Sequence, residues 1–244
     1  MSIDFNSYAD AYQRNRSVQP KVLEALIAGS GLASNDSVLE VGCGTANYLA
    51  ATVSETGAAG HGVDPAARML AQARSDPARA NLALSVASAE SLPFADGSFR
   101  FVFSVDVIHH VSDRVAFATE AYRVLEPGGK LCTVTDSHKD IANRVPLSSH
   151  FPETIPHEFE RYPPIETLRG ELRSAGFVNL TTSHVDYGYE LADITPFRER
   201  AFSALRLVSD EQFATGLARL ERELEAGPVP ARSVYTLIWA TRPT

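Results

Sequence analysis

The segment Glu40-Val41-Gly42-Cys43-Gly44-Thr45-Ala46-Asn47 joins a short apolar run, Val38 to Val41, to a helical pattern. Two glycines so close together let a backbone turn sharply and let a ligand approach within van der Waals contact. A second run, His61-Gly62-Val63, ends at Asp64-Pro65. A carboxylate at the end of such a strand can accept both hydroxyls of a ribose, and the same Asp suits a helix N-cap before Pro65. The dinucleotide fingerprint requires glycine at the sixth place of G-x-G-x-x-G, and that place is Asn47. The longest run, Phe99 to Val105, leads into Asp106-Val107-Ile108-His109-His110-Val111-Ser112-Asp113. In an open α/β sheet, ligands bind outside the carboxyl ends of the strands, so His109 and His110 are candidates for a general base. Histidines packing a helix start fit equally well. No third ligand stands at a useful spacing from this pair, so no metal is expected. Near the start of the chain, Tyr8, Tyr12 and Arg16 recur at i, i+4 and i+8 and share one helical face.

Strands and helices must alternate to position these groups. The apolar runs at Val38–Val41, His61–Val63, Leu84–Ala87, Phe99–Val105 and Lys130–Thr135 predict five strands. Between them, Val22, Leu23, Leu26 and Ile27 give one helical face, Met69, Leu70 and Ala73 a second, and Val115, Ala118, Tyr122 and Leu125 a third. Pro127-Gly128-Gly129 stops the last of these. Strand, helix, strand with short polar joints means right-handed βαβ units and a parallel sheet. Beyond Thr135 the rhythm breaks. Ser137 to Pro164 reads as an ordered loop or short helices over the C-terminal edge of the sheet. Ile165–Ala175 reads as a helix, Val178–Val185 and Val234–Ala240 as strands. Between those strands, Phe197–Leu207 and Phe213–Leu224 read as two amphipathic helices, the second opened by a Ser209/Gln212 capping box.

The 244 residues are 44% hydrophobic and 21% charged, which suits one globular unit. A net charge of −8, with no basic run, argues against nucleic acid as a partner. Cys43 and Cys132 each fall in a buried-strand context, which points to a reducing compartment. Met1 to Phe5 has neither a basic nor an apolar signal-peptide region, and no apolar run approaches membrane-spanning length. The expectation is a cytoplasmic protein, monomer or homodimer, with no membrane and no nucleic-acid partner.

The motifs resemble those of the class I S-adenosylmethionine-dependent methyltransferases. Glu40 to Ala46 is similar to their E-x-G-x-G-x-(G/A) loop, and Asp64 stands where they bind ribose. Ser88-Ala89-Glu90-Ser91-Leu92-Pro93-Phe94-Ala95-Asp96-Gly97-Ser98-Phe99 looks like their D-A-x-x-L-P-F-x-x-x-S-F-D segment. It departs at Ser88 and Arg100, each of which replaces an acidic residue. Val124-Leu125-Glu126-Pro127-Gly128-Gly129-Lys130-Leu131 resembles their structural helix-to-strand turn. The resemblance is strong over residues 36–136. It implies an α/β, Rossmann-like, seven-stranded, mostly parallel sheet with an antiparallel last strand and a helical cap insertion.

On that resemblance the chain is one domain, 1–244, with N-terminal lid helices over 1–30 and cap or substrate-binding insertions over 137–165 and 186–232. S-adenosyl-L-methionine is the implied cofactor, contacted by Tyr12, Arg16, Glu40, Gly42, Cys43, Gly44, Asp64, Pro65, Met69, Ser88, Ala89, Glu90 and the backbone near Val105. Tyr8, His109, His110 and His138 are the catalytic candidates. Tyr8, His109, Phe151, Tyr162 and Tyr187 are the candidates for holding a small aromatic or heterocyclic molecule methylated on N or O. The layout loosely resembles bacterial secondary-metabolite methyltransferases, including heterocycle N-methyltransferases such as the toxoflavin pathway enzyme. Alternatives are a methyltransferase acting on RNA or protein, an NAD-dependent oxidoreductase, and a non-catalytic S-adenosylmethionine-binding module.

Overall fold

The computed structural model describes residues 17–244. Helix α1 (Pro20–Ser30) precedes β1 (Ser37–Val41), α2 (Asn47–Thr56), β2 (Ala59–Asp64), α3 (Ala67–Ser75), β3 (Ala83–Val86), β4 (Phe99–Val105), α4 (Arg114–Val124) and β5 (Leu125–Thr135). The seven strands form one sheet in the order β3-β2-β1-β4-β5-β7-β6. Strands β1 to β5 pair in parallel, and β7 (Val229–Thr241) runs antiparallel to both β5 and β6 (Val178–Leu191). The strand order reverses direction between β1 and β4. A crevice opens at such a switch point, beyond the carboxyl ends of the strands.

A sheet covered on both faces needs strands that are apolar on both faces. β1 meets this with Val38, Leu39 and Val41 buried and one polar side chain, Glu40, buried among them. Successive strand residues serve opposite layers. Leu39, Val102 and Leu131 pack against Phe117, Ala121 and Val124 of α4 and Leu168 and Leu172 of α8 (Ile165–Ser174). Val38, Phe101, Phe103 and Cys132 pack against Val22 and Leu26 of α1, Leu49 of α2 and Leu70 of α3. The α4 face is therefore Phe117, Ala118, Ala121 and Val124. Val115, expected on that face, is 52% exposed, and the chain turns directly into β5 at Leu125.

Between β5 and β6 the chain forms α5 (His138–Ala142), α6 (Leu147–His150), α7 (Thr154–Arg161) and α8. Between β6 and β7 it forms α9 (Thr195–Arg198), a single 3₁₀ turn at Ser203–Arg206 and α10 (Asp210–Glu225). The expected helix over Phe197–Leu207 is thus broken. Arg200 takes φ = +48°, which ends α9, and the turn lets both Phe197 and Phe202 face the cap with ring centroids 4.8 Å apart. The Ser209/Gln212 capping box forms, with reciprocal bonds of 2.9 and 3.2 Å. Phe151, Ile194, Phe197, Leu205, Leu220 and Val229 make a separate core for this cap.

The two late strands are longer than their sequence pattern predicts. The β5–β7 ladder ends at Thr135↔Thr236, whereas β6–β7 continues to Leu191↔Val229. At about 3.3 Å per residue, this two-stranded ribbon rises roughly 20 Å beyond the last β5–β7 pair, on the side where β5 ends. No described helix is long and apolar enough to cross a membrane.

Candidate active site

Three cavities open by the carboxyl ends of the strands, and Asp106 lines all three. The first, about 100 Å³, is bounded by Gly42, Gly44, Asp64, Pro65, Met69, Val105 and His110. The second, about 290 Å³, is bounded by Glu40, Cys43, Thr45, Tyr48, Val105, Tyr187 and Tyr235. The third, about 110 Å³, lies under the cap between Asp136, Arg144, Glu158, Tyr162, Tyr189 and Phe202.

The glycine turn is held by backbone. Gly42 and Cys43 both donate to the Val63 carbonyl, at 2.8 and 2.9 Å, which ties the end of β1 to β2. Gly42 has φ = +71°, and a Cβ there would stand 2.5 Å from Val107 Cγ2. Both facts require glycine. The Glu40 carboxylate, 3% exposed, accepts the Leu49 N–H at 2.9 Å and so satisfies a free donor in the first turn of α2. Burial pushes its pKa well above the usual carboxylate range.

Asp64 ends β2 as expected. Its Oδ2 accepts the Gly44 N–H and its Oδ1 the Ala66 N–H, each at 2.8 Å. One carboxylate thus fixes the glycine turn and the entry to α3 together, and each oxygen keeps a lone pair. Burial raises its pKa, against the pull of these two bonds. Cys43 is buried beside them, and desolvation followed by the charges of Glu40 and Asp64 raises its thiol pKa, so it stays a neutral packing group.

The loop after β4 turns at Asp106, whose φ is +58°, with its N–H donated to Val134 at 3.0 Å. His110 lines the first cavity. His109 lines none of the three: its ring stacks on Tyr162 at 3.9 Å and meets His110 at 4.0 Å. His138 also lines none of them. Its Nε2 bonds the Tyr162 carbonyl at 2.7 Å and its ring stacks on Phe159 at 4.4 Å. Around Tyr162, then, His109 and His138 buttress a wall of the third cavity rather than facing into it.

Other expected positions divide the same way. Tyr162 lines the third cavity and Tyr187 the second, where it stacks on Tyr189 at 5.3 Å. Phe151 is 1% exposed in the cap core against Phe197 and Phe213, so it does not reach a ligand. Ser88, Ala89 and Glu90 line none of the three cavities. Ala89 packs into the core, and Glu90 accepts bonds from Ser112 at 3.0 and 3.1 Å, pinning the loop after β4. Tyr8, Tyr12 and Arg16 lie outside the described residues.

The sequence reading did not single out the charged lining of the third cavity. Arg144 is clamped between Asp136 and Glu158, the latter at 2.7 Å, and Glu158 also takes Arg161 at 2.7 Å. The Arg144 guanidinium lies 5.4 Å from the Tyr162 ring centroid. Burial, with the neighbouring Asp106 charge, pushes Asp136 up to about 6, although Arg144 pulls the other way. Asp136 directly follows β5, so the strand-end rule that selects Asp64 and Asp106 selects it too.

Residues 39–133 match the model of a methyltransferase domain. The demethylmenaquinone methyltransferase of Tropheryma whipplei is 36% identical over 140 residues, which are 55% of this chain and 58% of that protein. A Listeria monocytogenes protein of the same name is 36% identical over 110 residues, 43% of this chain and 46% of that one. The chain therefore spans about half the length of the curated relatives it matches. Among solved structures, a methyltransferase from Anabaena variabilis assigned to an antibiotic biosynthesis pathway superposes with a TM-score of 0.73 at 20% identity, covering 93% of this chain and 98% of that one. Haemonchus contortus phosphoethanolamine N-methyltransferase 2 gives 0.65 at 21% identity, over 98% of this chain and 58% of its own. Residues 39–133 thus match a methyltransferase domain, and the chain has the fold of the solved methyltransferases on which it superposes.

Proposed function

We propose that this chain is an S-adenosylmethionine-dependent methyltransferase that moves a methyl group to a nitrogen or oxygen of a small, ring-bearing molecule. The observation that carries this reading is that three cavities at the strand ends share Asp106 in their walls. One end suits a nucleoside, the middle an amino-acid chain, and the far end an acceptor.

The residues fit the cofactor. Asp64 keeps one lone pair on each oxygen for the two ribose hydroxyls. The Thr45 hydroxyl, 1% exposed, lines the middle cavity with no hydrogen-bond partner among the described residues. A buried hydroxyl with no partner costs about 1–3 kcal/mol, and a polar ligand in the cavity would relieve that. When bound, S-adenosylmethionine supplies a sulfonium methyl that is already electrophilic. The protein's task is then to position the acceptor and exclude water. Asp106, fixed by its backbone bond to β5, stands where the cavities meet. Tyr187 and Tyr189 wall the junction from the ribbon and Phe202 from the cap.

The relatives named above are demethylmenaquinone methyltransferases, and the family match stops at residue 133, just before Asp136. A third cavity lined by Arg144, Asp136 and Glu158 favours a small polar guest over a long isoprenoid tail. A cavity of only about 110 Å³ also favours a small guest over RNA or a folded protein as acceptor.

Calorimetric titration with S-adenosylmethionine, S-adenosylhomocysteine and NAD tests the reading. The first two should bind with a stoichiometry of one, and NAD should not bind. Binding of NAD alone would overturn it.

A further inference from the structure

The second and third cavities share a wall. Tyr189, Phe197, Phe202, Ser233, Tyr235 and Asp106 line both of them. Side chains that line two neighbouring cavities stand between them, so this boundary is built from the ribbon, the cap and the loop after β4. Size decides what can lie on each side. A single benzene ring fills a dry cavity of about 150 Å³. The third cavity, about 110 Å³, falls short of that, whereas the second, about 290 Å³, has room for an amino-acid chain and a ring together. A ring-bearing acceptor therefore keeps its ring on the middle side of the boundary and sends only a substituent into the third cavity. On the ribbon, Tyr189 pairs with Ala231 and Ser233 with Tyr187, so Tyr189 and Ser233 share one face. The Tyr189 ring stacks on Tyr187 at 5.3 Å. Both side chains are half-buried, yet neither hydroxyl has a hydrogen-bond partner among the described residues. A phenol at such a depth usually finds a partner. With none from the fold, the two hydroxyls are left for whatever crosses the boundary.

We propose that the ribbon selects the acceptor: the Tyr189 ring confines it to a single ring, and the Tyr189 and Ser233 hydroxyls hold an oxygen which that ring carries. This rests on the methyl-transfer reading. The acceptor class is one aromatic or heterocyclic ring bearing a carbonyl or hydroxyl oxygen close to the ring. A hydroxyl both donates and accepts, so it can meet either kind of oxygen, and a carbonyl oxygen needs a donor. Both groups are neutral, and the selection works by shape and hydrogen bonding rather than by charge. A ring of the same shape without the oxygen forgoes those bonds and is held less tightly. A fused two-ring acceptor meets the Tyr189 ring at the boundary and is excluded by its width.

The test uses acetophenone, α-methylstyrene and 2-acetylnaphthalene. The first two share a shape and differ by the carbonyl oxygen, and the third adds a ring to the first. Each is titrated into the full chain, with and without S-adenosylhomocysteine, and binding is followed on the ligand by NMR. Acetophenone should bind about three- to tenfold more tightly than α-methylstyrene, which is the worth of a hydrogen bond, and about threefold or more tightly than 2-acetylnaphthalene. Tyr189→Phe and Ser233→Ala should each weaken the preference for the ketone, and the double variant should abolish it. Tm should stay within about 1 °C in all three, because neither hydroxyl is bonded to the fold. Tyr189→Ala should bring 2-acetylnaphthalene level with acetophenone or ahead of it. The proposal is overturned if no probe binds at millimolar concentration, if the double variant keeps the ketone preference, or if Tyr189→Ala leaves the ring-size order as it was. A clear fall of Tm in the double variant also overturns it, since the hydroxyls would then serve the fold. The hydroxyl variants decide the matter even if Tyr189→Ala fails to fold. Binding of S-adenosylhomocysteine is read in the same experiments. Its failure overturns the methyl-transfer reading, and the ketone preference of the unloaded protein is still measured.

Discussion

Asp64→Ala removes one carboxylate that serves two masters. In the free protein, the Gly44 and Ala66 N–H groups each lose an acceptor at 2.8 Å. Both sit in nearly water-free backbone, and hydrogen bonds to a charged acceptor are worth about 1.5–3 kcal/mol each. Gly44 and Ala66 both line the first cavity, where water can replace part of each bond, so the net cost falls to roughly 2–4 kcal/mol. For a chain of this size that lowers Tm by about 4–15 °C. In the complex, two ribose hydroxyls lose their acceptor as well. A further 1.5–3 kcal/mol weakens S-adenosylmethionine binding by about 10- to 150-fold. The two effects are read separately: Tm by calorimetry without ligand, Kd by titration at a temperature where the variant is folded. Asp64→Asn separates them further, because its single carbonyl oxygen can keep one backbone bond while losing the paired acceptors. A folded Asp64→Ala variant with unchanged affinity would show that the first cavity does not hold the ribose.

Three further outcomes follow from the geometry. Gly42→Ala should cost about 1–3 kcal/mol of stability by thermal melting, because its φ is +71° and its Cβ meets Val107 at 2.5 Å. Phe151→Ala should lower stability by about 3–5 kcal/mol with cofactor affinity unchanged, since Phe151 fills the cap core and lines none of the three cavities. Asp136 should be visible in the pH dependence of stability. Its folded pKa, about 6, lies above the ordinary value of 3.8, so the folded state holds more protons between those values. Its contribution to stability is therefore largest at low pH and declines as pH rises through about 4 to 6. Asp136→Asn should flatten that part of the Tm-against-pH curve.

The features that could be read from the sequence are those whose partners lie close along the chain. The Gly42–Gly44 turn, Asp64 at its strand end and the Ser209/Gln212 cap each rest on a local rule, and each stands where that rule puts it. The histidines did not resolve, because an imidazole can pack or titrate and its neighbours decide which. Tyr162, far along the chain from His109, supplies the stacking partner. The Asp136–Arg144–Glu158 clamp was hidden because its members come from a strand end, a loop and α7, in a segment without periodicity. The extension of β6 and β7 escaped because each protects its polar residues by pairing with the other. The outer part of β6 does alternate, but between tyrosines and a glycine or charged residue rather than in an aliphatic rhythm.

That ribbon makes the shape of the middle cavity's wall a matter of parity. Tyr187, Tyr189 and Leu191 project to one side at every second residue, as do Ser233 and Tyr235 on the partner strand, and all five line the middle cavity. Inserting one residue in the ribbon below them would turn Tyr187 and Tyr189 to solvent and bring Gly188 and Glu190 inward. Inserting two would restore the same side chains one step higher. Descendants of this chain can therefore lengthen or shorten the arm in pairs of residues and keep an aromatic wall, while an odd step exchanges it for glycine and a carboxylate.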